Sequence, residues 1–288
     1  MPPVIAVTGA SGHLGSRVAH RLAEQGARPR LLVRDPARVP PIVGTTVAPH
    51  ASYGDGEAMR QACDGAQTLF LVSARESADR VREHTTAVDA AVAAGVGRIV
   101  YVSFIGAAAD ATFTFARDHW HTEEHIRATG LAYTFLRDSL YCSGLPAMAG
   151  ADGVIRGPAG NGQVSAVAHD DVADAAAAVL LGDGHDRATY DITGPSSLSL
   201  DEVAAELSRF SGRTVTYEPE TREEAFASRA GYGAEPWEVA GWVSSYEAIA
   251  AGEMATVSDA VRRLTGHRAR SFADFLKEHP GTYRHLLP

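Results

Sequence analysis

Residues 4–22 read V-I-A-V-T-G-A-S-G-H-L-G-S-R-V-A-H-R-L. An apolar run ends at Thr8, glycines follow at 9, 12 and 15, and apolar positions then recur at helical spacing. The pattern G-x-x-G-x-x-G differs from the commoner G-x-G-x-x-G, but its setting is the same: a first strand, a glycine-rich loop and a helix beginning near His13. Such a turn aims backbone N–H groups and the positive end of a helix dipole at one point, where a pyrophosphate can sit. Gly9 permits the tight turn, Gly12 lets the backbone approach the phosphates, and Gly15 lets helix and strand pack closely. Nucleotide binding is therefore expected at this turn.

Outward from it, strand-like apolar runs appear at Val4 to Val7, Arg30 to Val33, Thr46 to Ala48, Thr68 to Val72, Arg98 to Val102 and Ala132 to Leu136. Ala-rich segments of helical length separate them. This alternation predicts a Rossmann-type α/β fold, a doubly wound parallel sheet with helices on both faces. After about residue 140 the pattern changes. Gly and Pro punctuate G-L-P-A-M-A-G and G-P-A-G-N-G, and mostly helical segments follow, with short strands at Ala188 to Ile192 and Thr214 to Tyr217. Ser199 and Glu202 form a capping box for a helix from about residue 200. The expected division is a cofactor domain over residues 1–140 and, over 141–288, a smaller, mainly helical substrate-capping region with some segments returning to the core.

Composition excludes several classes. The formal net charge is -9 and no long basic run exists, so no nucleic-acid surface is expected, because phosphate binding draws on clustered Lys and Arg. Cys63 and Cys142 lack C-x-x-C spacing and read as buried free thiols. The N-terminus enters an apolar strand of about five residues, too short for a signal sequence or a membrane span. A cytoplasmic protein without membrane attachment is the expectation.

The end of the second strand decides cofactor choice. An acidic residue there suits a free ribose 2′-hydroxyl, whereas a 2′-phosphate calls for Arg. The chain has L-L-V-R-D-P-A-R, with Arg34 at that point and Arg38 a turn away. A guanidinium offers a bidentate fork to phosphate, so NADPH is expected, with NADH as a weaker alternative because Asp35 leaves mixed specificity open.

Further motifs appear in order: Y-G-D at Tyr53 to Asp55, Val72-Ser73, Y-V-S at Tyr101 to Ser103, Y-T-F-L-R-D-S-L-Y at Tyr133 to Tyr141, and Y-D-I-T-G-P from Tyr190. With the glycine turn and V-R-D-P, they make the chain resemble the NmrA-like atypical short-chain dehydrogenase/reductases, and within them the NAD(P)H:quinone oxidoreductase (type 2) branch. By this resemblance Gly9, Ser11, Gly12, His13 and Leu14 cradle the pyrophosphate, and Arg34 meets the 2′-phosphate. Ser73 and Ala74 line the ribose side, and Ser103 and Tyr141 lie near the nicotinamide. Thr8, Val72 and Phe104 complete the expected cofactor set.

The chain also departs from that pattern. Many short-chain reductases use a Tyr with a Lys four residues later. The helix after Ser103 reads H-W-H-T-E-E-H, with Trp120 and Glu124 at those positions, and the only lysine in the sequence is Lys277. The branch has E-K where this chain has Glu123-Glu124, and an acidic residue where Ser52 stands. Arg75, His121 or water must take those tasks, or turnover has been lost. His121-Thr-Glu-Glu-His125 also fits H-x-x-E-H, a zinc-peptidase signature, but it falls where a short-chain reductase has its active-site helix, so no metal is expected. No Ser-His-Asp arrangement emerges, since Ser103 is not in a G-x-S-x-G turn and Ser11 belongs to the phosphate loop.

Tyr141 and His121 are the candidate catalytic residues. Phe104, Tyr141, Leu145, Met148, Trp237 and Trp242 are candidates for a pocket taking a flat hydrophobic aromatic substrate. The reading is NADPH-dependent reduction of a quinone or similar conjugated aromatic carbonyl, with a homodimer as the expected assembly. Two alternatives stay open: a redox sensor that binds NADP(H) without turnover, and a tailoring reductase in aromatic natural-product biosynthesis. The latter is suggested only by 25 Arg against one Lys, the mark of a GC-rich genome.

Overall fold

The computed structural model describes residues 4–39 and 41–287. Strands β1 (Ile5–Val7), β2 (Arg30–Leu32), β3 (Thr46–Ala48), β4 (Thr68–Leu71), β5 (Arg98–Phe104) and β6 (Ala132–Asp138) alternate with helices α1 (His13–Glu24), α2 (Gly56–Cys63), α3 (Arg80–Ala93) and α4 (Thr114–Ala128). Then follow β7 (Val154–Gly157), β8 (Gln163–Val164), α5 (His169–Leu181), β9 (Ala188–Ile192), β10 (Leu198–Ser199), α6 (Leu200–Ser211), β11 (Thr216–Pro219), α7 (Arg222–Arg229), α8 (Pro236–Ala250), α9 (Ala260–Thr265) and α10 (Phe272–Glu278). No helix of the described residues is long and apolar enough to cross a membrane.

The chain divides into two compact units. The first comprises Met1–Ala107, Asp118–Arg137 and Val172–Tyr190, and the second Ala108–Arg117, Asp138–Asp171 and Asp191–Pro288. The first unit is built on a sheet of strand order β3-β2-β1-β4-β5-β6-β9. The pairs β1–β2, β2–β3, β1–β4 and β4–β5 are all parallel. β1 is buried throughout and β5 is buried from Ile99 to Phe104, as helices on both faces require. On α1 the residues Leu14, Val18, Ala19 and Leu22 are buried, one face at helical spacing. The chain order reverses between β1 and β4, the point at which doubly wound sheets open a crevice at the carboxyl ends of their strands.

In the second unit β11 runs parallel to β7, and β10 pairs antiparallel with β8. The capping box at Ser199 forms: its side chain accepts from the Glu202 N–H at 3.2 Å, and the Glu202 carboxylate accepts from the Ser199 N–H at 2.7 Å. The strand expected at Thr214 to Tyr217 lies at Thr216–Pro219, and β7, β8 and β10 were not foreseen. At two to four residues each they are too short for alternation to register. Cys63 and Cys142 are buried free thiols.

Candidate functional site

The glycine turn is built by a few interlocking contacts. The Gly12 N–H donates to the Gly9 carbonyl at 2.8 Å, closing the loop on itself. Gly9 adopts φ +61°, a left-handed conformation open to glycine at little cost. A Cβ on Gly15 would lie 2.4 Å from the Gly9 oxygen and 2.7 Å from the Thr8 oxygen, so only hydrogen fits where α1 crosses the end of β1. Gly12 caps α1 in an extended conformation, with no side-chain cap bond and no acidic residue in the first turn. The start of the helix is thus left without a built-in anion, the arrangement that favours an external one.

This turn forms one wall of a cleft of about 340 Å³. The cleft is lined mainly from the carboxyl ends of four parallel strands: Gly9 and Ser11 to Gly15 after β1, Leu32 to Arg34 at the end of β2, Ala51 to Tyr53 after β3, and Val72 to Arg75 after β4, with Met59 of α2 and Glu83 of α3 completing it. Of the expected cofactor residues, Gly9, Ser11, Gly12, His13, Leu14, Arg34, Val72, Ser73 and Ala74 line it. Arg34 is exposed, and Arg75, also exposed, shares the same cleft.

Thr8 lies beneath, 1% exposed. It accepts from the Val72 N–H at 2.9 Å and is 3.1 Å from the Phe70 carbonyl. The Tyr53 hydroxyl sits 2.6 Å from both Thr8 Oγ1 and the Val72 carbonyl. A carbonyl only accepts, so the Tyr53 proton goes to Val72. Burial raises the phenol pKa far above its usual value, which keeps this donor protonated. Tyr53, legible in the sequence only as part of Y-G-D, therefore ties the 51–55 segment to the ends of β1 and β4. Asp55, the last letter of that motif, caps α2 by accepting from the Ala58 N–H at 3.0 Å.

Ser103 and Phe104 do not line this cleft. Ser103 is fully buried, and its hydroxyl donates to Glu123 Oε1 at 2.6 Å. The same carboxylate receives Arg137 Nε at 2.8 Å and Nη2 at 2.7 Å, and Arg127 Nη2 at 2.9 Å. A carboxylate without exposed surface is held by two guanidiniums and a hydroxyl, the pairing that burial of a charge demands. Glu124, one residue on, is exposed and pairs with Arg127 instead.

The catalytic candidates stand apart in chemistry. His121 is exposed on α4 with its ring edge-on to Trp120 at 4.9 Å. His125 is 2.7 Å from Asp89, so the residues of the H-x-x-E-H stretch turn to different partners. In the second unit, the Tyr141 hydroxyl donates to Asp138 and its ring stacks on His169, centroids 3.7 Å apart. Burial, and then the Asp138 charge, push the Tyr141 pKa well above 10. Leu145 is 1% exposed, Trp242 is 37% exposed, and Trp237 packs on Phe115 at 5.9 Å.

A parallel sheet whose order reverses beside a glycine turn, with an arginine at the end of its second strand, defines a dinucleotide-binding Rossmann protein. The chain belongs to the NmrA-like family, whose pattern matches residues 1–248. It is 36% identical to Quinone oxidoreductase 2 of Escherichia coli over 75% of this chain and 77% of that one. It is 32% identical to the NAD(P)H azoreductase of Xenophilus azovorans over 97% of this chain and 99% of that one. The crystal structure of the Escherichia coli quinone oxidoreductase complexed with NADPH superposes with a TM-score of 0.87 at 31% identity, covering 95% of this chain and 99% of that one.

Proposed function

We propose that the protein is an NADPH-dependent oxidoreductase that reduces quinones or similarly conjugated aromatic carbonyls. The observation that carries this reading is the joining of the uncapped glycine turn and Arg34 in one cleft, in a chain 36% identical to a quinone oxidoreductase. NADPH fits the residues present: Gly9 to Leu14 offer backbone donors at a helix start for the pyrophosphate, and Arg34 offers a fork for the 2′-phosphate. When bound, the cofactor supplies a hydride.

The substrate class follows from the chain's own residues. No Tyr/Lys pair stands on α4, where Trp120 and Glu124 occupy the two positions. Tyr141 has its proton engaged by Asp138 and a raised pKa, which suits it to positioning rather than to giving up a proton. A substrate that takes hydride without a strong acid beside it is therefore the matching one. A quinone meets this condition, because the anion formed is phenolate-like, with a conjugate acid near pKa ~10 that water can protonate. The test is NADPH consumption against a panel of benzo- and naphthoquinones: turnover is expected, and tight NADPH binding with no turnover of any of them would overturn the enzymatic reading.

A further inference from the structure

The loop Val72–Arg75 forms one wall of the cleft, and both polar groups of Ala74 within it are met by side chains of α3. The Ala74 N–H donates to His84 Nε2 at 2.8 Å, and its carbonyl accepts from Arg80 Nε at 2.9 Å. Arg80 and His84 are four residues apart and so share one helix face. We propose that His84 and Arg80 are positioning residues that clamp this loop in the shape that receives NADPH. The proposal rests on the reading that the cleft is the NADPH site.

The hydrogen-bond directions fix the clamp. Because His84 Nε2 accepts from a backbone N–H, its ring hydrogen is on Nδ1, which faces Thr122 Oγ1 on α4 at 2.9 Å. Thr122 passes its own hydrogen to the Asp118 carbonyl at 2.8 Å. Arg80 Nη2 lies 3.2 Å from His119 Nε2. A guanidinium only donates, so His119 also carries its hydrogen on Nδ1, which faces the Tyr101 hydroxyl at 2.9 Å. Ala74, Arg80, His119, Tyr101, His84 and Thr122 thus form one buried polar assembly linking the cleft loop to α4 and β5. Arg80, His84 and His119 are 3%, 0% and 4% exposed. Burying an arginine and two imidazoles confers little that well-packed apolar side chains could not, so their use here points to the loop they hold.

The test uses the full chain. NADPH affinity is measured by fluorescence titration and by NADPH-induced thermal shift for the wild type, His84→Ala, His84→Gln and His84→Asn. The Gln amide reaches the place of Nε2 and can accept from Ala74, whereas the Asn amide reaches only the place of Nδ1 and serves Thr122. His84→Ala is expected to weaken NADPH binding by about tenfold or more and to leave kcat at saturating NADPH within about threefold. Gln should recover most of the affinity and Asn little. Equal rescue by the two, or wild-type affinity in the Ala variant, would overturn the clamp. A second measurement needs no variant: in the wild type before NADPH is added, the Ala74 amide should exchange hydrogen as slowly as the ends of β4, and exchange at the rate of an open loop would refute the proposal. A wild type that exchanges slowly at Ala74 yet binds no NADPH would overturn the reading of the cleft, and with it the task assigned to the clamp.

Discussion

Ser103 gives its hydroxyl proton to Glu123 across 2.6 Å, and the carboxylate that receives it has no surface open to solvent. A serine near the end of β5 is thereby committed as a donor to the interior. Removing the acceptor leaves Arg137, Arg127 and Ser103 without the partner they share. Glu123→Ala should lower unfolding free energy by about 3–5 kcal/mol, the cost of breaking a buried pair from one side. Ser103→Ala, which spares all three guanidinium bonds, should cost about 1–3 kcal/mol. Urea denaturation of both variants measures the order, and a larger loss for Ser103→Ala would contradict it.

Cofactor choice is expected to rest on Arg34. If its guanidinium meets the 2′-phosphate, Arg34→Ala should weaken NADPH by about 1.5–3 kcal/mol, the range for hydrogen bonds to charged groups. NADH affinity should scarcely change. Parallel calorimetric titrations with the two cofactors check this, and equal losses would remove Arg34 from that role.

Gly15 has no room for a methyl group, with the Gly9 carbonyl 2.4 Å from where it would sit. The contact is with backbone and cannot be relieved by a side-chain turn. Gly15→Ala should therefore cost about 1–3 kcal/mol of stability, as overpacking does, and displace the phosphate turn enough to abolish NADPH binding. Retention of wild-type affinity would show that α1 can shift away without harm.

The two buried imidazoles set an acid limit on stability. His84 has its pKa lowered from 6.5 to about 3, chiefly by burial and then by the Arg80 charge, and His119 is lowered well below 6.5 for the same reasons. Below pH 6.5 the unfolded chain takes up protons that the folded chain refuses, so folding stability falls as pH falls. The loss should run from about pH 6.5 towards pH 3, at up to ~1.4 kcal/mol per pH unit for each histidine. Thermal unfolding across that range should show a shallower decline in His84→Gln than in the wild type.

Substrate range should follow the proton economy of the site. A positioned general acid contributes about 10²–10⁴ in rate. Without one, naphthoquinones should be turned over and plain aliphatic ketones should not. Tyr141→Phe should slow quinone reduction by less than about 10²-fold if the ring only positions substrate. Efficient ketone reduction would reveal an acid, with Tyr141 or His121 as the group to test next.

The glycine turn was legible because its geometry is written in backbone requirements that three glycines state openly, and the strands beside it because burial on both faces leaves unbroken apolar runs. Arg34 was legible from its distance to that turn. The roles of Tyr53, Arg80 and His84 were not: α3 reads R-V-R-E-H-T-T-A-V-D-A-A-V-A, in which a buried arginine and histidine look like any charged helix surface. Their partners lie outside α3, at Ala74 in the preceding loop and, far along the chain, at Thr8, His119 and Thr122, and local periodicity carries no trace of them. Ser103 was expected beside the nicotinamide from the family resemblance, and only the position of Glu123 on a neighbouring helix shows where its proton goes.

The knot of Thr8, Tyr53 and Val72 joins residues 45 and 64 positions apart, so the cleft comes into being only once β1 and β4 have paired. A half-assembled or nascent chain presents nothing for a nucleotide to hold. A ligand that recognises only the finished sheet withdraws it from the unfolded pool, by about 2.7 kcal/mol when its concentration is 100 times Kd. The lifetime of this protein against cellular proteases should therefore rise and fall with the supply of its own reductant, and starving a cell of NADPH would thin the population of the protein before any gene was switched off.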